Sequence, residues 1–445
     1  MMKDMTKGKP SGILWRFTIP MLVSVMFQQI YNIVDSVVVG KFVGVNALAA
    51  VGASYPITMI FIAIAVGSNI GCSVVISQFF GARDYRKMRT AISTSLCSCV
   101  VLSAILMAIG ILFSRTFLKL LLTPDNIMSD SALYLNIYVY GLLFLFMYNI
   151  CTGIFTSLGD SKTPLYFLIA SSIGNVILDL FFVISLHMGV AGVAWATFLA
   201  QGISSVLALI TLLRRIRSLK GAEGAQHFSL SMLGRISRIA IPSILQQSFI
   251  SIGNLFIQGL VNSFGSDVIA GYSAAIKLNT FVITSLSTLG NAISSFTAQN
   301  IGAGNTRRVQ QGFRTALIMI CIVSLPFFFA YFFFGRTMIG LFMTDSDTAA
   351  LSTGISFLRI VSPFYIVVAL KLVCDGILRG AGTMVPFMIT TFSDLIIRVV
   401  LAFLLAAPFA SDGIWISWPI GWSIATILSF VFYMSGIWKK GAARI

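Results

Sequence analysis

The sequence predicts an all-α integral membrane protein, with twelve transmembrane helices in two six-helix lobes related by a parallel internal repeat. Composition is the first observation. Hydrophobic residues make up 57% of the 445, charged residues 10%, and the mean hydropathy is +0.94. A soluble domain carries about 25% charged residues. The second observation is length. Apolar stretches of about 20 residues recur from end to end, enough to cross the hydrocarbon core as a helix. Barrel strands are about 10 residues long with strict alternation, and lipid demands that backbone groups be bonded internally, so these stretches are helices. The third observation is repetition. Arg16-Phe17-Thr18-Ile19-Pro20 returns as Arg238-Ile239-Ala240-Ile241-Pro242. Gln78 with Gly81-Ala82 returns as Gln299 with Gly302-Ala303, Gly159 with Pro164 as Gly382 with Pro386, and Trp195 as Trp418. The offset stays near about 222 residues along a whole half, the mark of an internal duplication.

In chain order the expected spans are 13–39, 46–76, 90–113, 131–157, 164–186, 189–212, 235–262, 268–297, 311–335, 354–378, 386–409 and 413–438. The first follows a polar start bearing Lys3, Lys7 and Lys9, which lacks an apolar core with a small-residue cleavage site, so no removable signal peptide is expected. The second and third flank a basic loop with Arg83, Arg86, Lys87 and Arg89. The fourth and fifth flank the Gly159 to Pro164 turn, and the sixth runs into Arg214, Arg215 and Arg217. Spans seven to twelve repeat this order. The division is therefore a first lobe at 1–213, a linker at 214–234 and a second lobe at 235–445.

Basic residues fix the orientation. Of the 30 Lys and Arg, most fall on one set of alternate loops, while the other set holds Lys41, Arg115, Lys119 and Arg336. Cytoplasmic loops carry the excess of Lys and Arg, so both termini are expected in the cytoplasm. Each half has an even number of spans, so the halves run parallel, related by an axis along the membrane normal, as in many secondary transporters with a substrate path between repeats. The net charge of +16 is spread over short loops, which argues for topology and attraction to anionic lipid and against a nucleic-acid partner. The six cysteines, Cys72, Cys97, Cys99, Cys151, Cys321 and Cys374, show no metal spacing and read as small apolar fillers. A nucleotide loop of the GxxxxGK[ST] type, a metal-ligand cluster and a nucleophile with a base are all missing, so neither an enzyme nor an ATP-driven pump is expected, and no cofactor.

Charges inside the spans carry the functional signal. An acid at the centre of a spanning helix costs about 2.5–3.5 kcal/mol on insertion scales, so it stays only if paired or facing water. The first half has two, Asp35 in span one and Asp179 in span five, with no Lys, Arg or His at comparable depth. Asn175 lies four residues before Asp179, on the same helix face. A carboxylate with a neighbouring amide oxygen suits a hard cation such as sodium, and a buried carboxylate also takes a proton readily. The sequence thus leaves Na+ and H+ both open as the coupling ion, beside a third reading in which each acid is a protonated interhelical tie. The second half holds Lys277, Lys371, Asp375, Asp394 and Arg398. Lys371 with Asp375, and Asp394 with Arg398, are spaced to pair within a helix. They read either as neutralised packing pairs or as a polar lining. Gln28, Gln29, Asn32, Gln246, Gln247 and Asn254 cluster in spans one and seven, the first helices of each half, and are candidates for cavity lining or for interhelical bonds. Pro20, mirrored by Pro242, is a candidate hinge.

The segment Pro20…Gln28-Gln29-Ile30-Tyr31-Asn32-Ile33-Val34-Asp35…Gly40, the Gln78…Gly81-Ala82 loop, Gly159…Thr163-Pro164, Asn175…Asp179 and Leu378-Arg379-Gly380-Ala381-Gly382…Pro386 together resemble the multidrug and toxic compound extrusion (MATE) family. The resemblance covers essentially the whole chain. It implies a secondary antiporter of a prokaryotic plasma membrane, working as a monomer, that exports amphipathic or cationic compounds in exchange for inward sodium or protons. In one branch the ion site lies in the first lobe, and the matching positions here are Asp35, Asn175, Asp179 and Thr197, with a bend at Pro20. Another branch has a Glu in the seventh helix, where this chain has Gln246 and Gln247, and an Asp in the tenth, near which this chain has Lys371. A flippase for a lipid-linked saccharide, of the same superfamily, is the alternative, kept open by Lys277, Lys371 and Arg398.

Overall fold

The computed structural model describes residues 3–38, 42, 45–217, 221, 223–343 and 348–444, with side chains described outside 33–38, 45–48 and 441–444. Among the described residues fourteen α-helices follow in order: α1 Pro10–Val38, α2 Val45–Gly81, α3 Tyr85–Leu120, α4 Asp125–Tyr140, α5 Leu142–Ser157, α6 Lys162–Leu180, α7 Gly189–Arg217, α8 Leu230–Asn262, α9 Ser266–Gly302, α10 Thr306–Phe333, α11 Gly335–Gly340, α12 Thr348–Val361, α13 Tyr365–Gly380 and α14 Met384–Met434. The described residues form no strand.

These helices account for the twelve expected crossings. α4 and α5 bend by 46° at Gly141 and together make one span, and α12 and α13 join through a 3₁₀ turn at Ser362–Phe364 to make another. α14 is 51 residues long, about 77 Å at 1.5 Å per residue, more than twice the hydrocarbon thickness of about 30 Å. It breaks at a kink at Ala410 (φ 50°, ψ −137°), two residues after Pro408. That left-handed backbone at a non-glycine residue divides it into two spans, where the sequence places a break between 409 and 413. The short α11 adds no crossing.

The chain resolves into two compact units. The first is Met1–Asp4 with Ile19–Ser248, the second Met5–Thr18 with Phe249–Ile445. Their limits fall within helices: α1 belongs to the second unit through Thr18, and α8 to the first through Ser248. In the second unit α9 and α13 pack backbone to backbone. A Cβ on Gly376 would sit 2.3 Å from the Gly290 carbonyl oxygen, and one on Gly380 2.3 Å from that of Ser294. Small residues four apart let membrane helices approach this closely, where hydrophobic burial alone does not drive association. Ile318, Ile322, Phe329 and Phe333 of α10 are exposed, as a lipid-facing stripe should be.

The repeat extends to how the polar lead-ins are held. In the first unit Arg86 Nε donates to the Gly224 carbonyl (3.1 Å), while Thr90 and Thr94 accept from the backbone of Gln226 and Ser229. In the second, Arg308 donates to the carbonyls of Met5 (3.1 Å) and Gly8 (2.8 Å), and the Met5 amide donates to Gln299 Oε1 (2.8 Å). Arg86 and Arg308 stand at the repeat offset of about 222 residues.

Candidate functional site

α6 carries the first-unit site on one face. Asn175 and Asp179, one helical turn apart, are buried at 2% and 0% exposure. The Asn175 amide sits so that its nitrogen donates to Asp179 Oδ2 (3.2 Å) and to the Tyr31 hydroxyl, while its oxygen accepts from the Thr197 backbone N–H (3.1 Å). One amide thereby ties α6 to α1 and α7. Two residues beyond Asp179 the α-helix opens into a π-helical turn, Phe181–Ser185, a distortion that often accompanies functional sites in membrane helices. Thr197 also lines a cavity of about 10 Å³ with Tyr134, Tyr138 and Gln201, room for about one water.

Of the residues expected from the sequence, Asn175, Asp179 and Thr197 are brought together. The expected fourth, Asp35, lies on α1 with its side chain outside the described residues. Tyr31 was not among the expected site residues. Its signal was present, since it precedes Asp35 by four residues, the spacing that links Asn175 to Asp179. A neutral phenol carries no insertion penalty comparable to a buried acid, so its place in a span is not costly enough to stand out.

The other candidates are placed as follows. Pro20 lies inside α1, and the Ser24 hydroxyl donates back to its carbonyl (2.9 Å), as serine does beside a helix bend. Gln28 and Asn32 are exposed and Gln29 is half-buried, with Asn32 donating to Gln29 (3.5 Å). Gln246 and Gln247 are half-buried on α8 and Asn254 is exposed. In the second unit the helical pairings are redistributed. Lys371 reaches Asp375 (3.1 Å), as its spacing predicts, and also Asp394 (3.6 Å) on α14. Arg398 does not pair with Asp394 and instead covers the Trp418 ring at 4.4 Å, an arrangement favourable to a guanidinium. Lys277 is exposed and lies 5.8 Å from the Phe342 ring centre.

Outside the spans, Asp160 precedes α6. Its Oδ1 accepts from the backbone of Lys162 and Thr163 (both 3.1 Å), and its Oδ2 from the Thr163 hydroxyl (2.7 Å) and Arg215. Burial alone would raise its pKa, but Thr163 and Arg215 hold it below the ordinary carboxylate value.

A family model described as MatE matches residues 20–181 and again 242–404, once per half. The chain belongs to the MatE family. Members of this family are transporters. Among relatives of this MatE chain, the probable multidrug resistance protein YpnP of Bacillus subtilis is 29% identical, over 98% of this chain and 97% of the relative. The probable multidrug resistance protein YoeA of the same organism is 27% identical, over 98% and 96%. A solved structure described as the outward-facing conformation of a multidrug resistance MATE family transporter of the MOP superfamily superposes with a TM-score of 0.91. It is 24% identical, over 98% of this chain and 97% of the other, a likeness that bears on fold.

Proposed function

We propose that this MatE chain is a secondary active antiporter that exports amphipathic or cationic compounds in exchange for an inward monovalent cation. The ion is taken at Asp179 and Asn175 on α6, with Thr197 beside them and Asp35 of α1 as the further ligand the sequence leads us to expect. The observation that carries this is the buried Asn175 amide, which touches the carboxylate of Asp179 and reaches both α1 and α7. A cation or proton that changes the charge of Asp179 thus changes hydrogen bonds on three helices at once, which is the coupling an antiporter requires. Pro20 in α1 gives the helix a place to bend in response. The relatives' names, probable multidrug resistance proteins, support drugs as the cargo.

The protein works in the plasma membrane, and its loop charges favour both termini in the cytoplasm; a monomer is the proposed working unit. The lipid-flippase reading drew on intramembrane cations. Lys371 is held between two aspartates and Arg398 over an indole, so those two cations are engaged within the protein, which favours export of small molecules. Dye efflux from inverted vesicles, driven in turn by a sodium and by a proton gradient, tests the proposal and names the ion. Efflux unaffected by collapse of both gradients excludes antiport.

A further inference from the structure

Four charged side chains are buried close together in the second unit. Lys371 (4% exposed) and Asp375 (3%) lie one turn apart on α13, Asp394 (8%) and Arg398 (6%) one turn apart on α14. The Lys371 ammonium is 3.1 Å from Asp375 Oδ2 and 3.6 Å from Asp394 Oδ2. The other oxygen of Asp375 accepts from the hydroxyls of Thr390 (2.9 Å) and Ser429 (2.6 Å). One cationic nitrogen is therefore enclosed by carboxylates from two helices, with two hydroxyls against one of them. Carboxylate and hydroxyl oxygens at this density are the surroundings a hard cation takes. Of the nearby guanidiniums, Arg398 lies over Trp418 (4.4 Å) and Arg379 donates to Asn291 (2.6 Å), and neither comes within ion-pair distance of Asp375 or Asp394. Among the described residues the ammonium is the cation in direct contact with both aspartates, and four methylenes bind it to α13, so it cannot leave.

We propose that Lys371 is a tethered cation standing where the second unit would otherwise hold a mobile one. This unit therefore exchanges no ion, and Lys371 confines ion coupling to the first unit. The inference rests on the reading of Asp179 as the first-unit ion ligand. It differs from an ordinary structural ion pair in one respect: removing the lysine should create a binding site as well as a defect.

The test is thermal unfolding of purified protein in sodium chloride against choline chloride at equal ionic strength, in an Asp179→Asn background that removes the first-unit carboxylate. With Lys371 present, the two melting temperatures should agree. Lys371→Met should melt lower in choline and recover several degrees in sodium, saturably, and ethylammonium should substitute for sodium. Adding Asp375→Asn should abolish the response. A Lys371→Met protein indifferent to sodium, potassium, lithium and ethylammonium overturns the proposal. If that variant does not fold, radioactive sodium binding decides on the Asp179→Asn protein with its lysine intact. No bound sodium supports the tethered cation, whereas bound sodium that disappears on Asp394→Asn overturns it. Failure of the first-unit reading is seen separately, as undiminished gradient-driven export by Asp179→Asn.

Discussion

Replacing Asp179 by asparagine separates folding from coupling. In the structure Asp179 Oδ2 accepts from the Asn175 amide at 3.2 Å. An asparagine at 179 keeps an oxygen in that place and the same side-chain shape. The neutral bond that remains is worth about 0.5–1.5 kcal/mol, and the cost of burying a charge in hydrocarbon is removed, so the change in stability should not exceed about 1 kcal/mol. The effect on transport should be much larger. For one monovalent cation entering per uncharged cargo molecule leaving, a potential of 100 mV supplies about 2.3 kcal/mol. At about 1.4 kcal/mol per factor of ten, that sustains roughly a fortyfold cargo gradient. The assay is uptake of an uncharged fluorescent cargo into proteoliposomes under an imposed potential of about 100 mV with equal ion concentrations on the two sides, and melting temperature is measured on the same preparation. Wild-type protein should approach the fortyfold limit. Asp179→Asn should melt normally and reach no gradient, while still exchanging labelled for unlabelled cargo. If well-folded Asp179→Asn builds the wild-type gradient, the carboxylate is not the coupling group.

Further outcomes follow from the same geometry. Tyr31→Phe removes the hydroxyl beside Asn175 and should weaken apparent ion affinity by roughly fivefold, for a lost bond of about 1 kcal/mol, at little cost to maximal rate; a titration of efflux against ion concentration reads this. Gly376→Ala drives a methyl against the Gly290 carbonyl at 2.3 Å and should destabilise the second unit by about 1–3 kcal/mol, seen as a lower melting temperature and loss of the monodisperse chromatographic peak. Because the pKa of Asp160 is depressed in the fold, its contribution is complete above the unfolded value of about 3.9 and is lost as pH falls through the lower folded value. Asp160→Asn should therefore lower the melting temperature at pH 7, and the gap to wild type should close in strong acid.

The architecture was largely legible because the bilayer imposes it. A run of apolar residues at constant density can only be a helix there, and loop lysines and arginines give its direction. The broken spans were less legible. The bend at Gly141 and the kink at Ala410 depend on where the backbone finds relief, and apolar composition is silent on that. At the site, Asp179 and Asn175 stood out because a stranded carboxylate is costly and the amide shares its face. Tyr31 did not, being a neutral group whose role arises only when α1 meets α6. In the second unit, spacing within a helix correctly joined Lys371 to Asp375 and wrongly joined Asp394 to Arg398, because the competing partners, Lys371 and Trp418, come from elsewhere in the chain.

The seating of Met5 has a practical side. Its amide and carbonyl are both spoken for, by Gln299 and Arg308, and its side chain is 1% exposed. An affinity tag joined immediately ahead of it, or a truncation to Pro10 intended to tidy a disordered-looking leader, would pull this plug from α9 and α10. Purification handles and fluorescent fusions belong at the carboxyl end, and a library that randomises residues 3 to 8 should be screened for yield before it is screened for resistance.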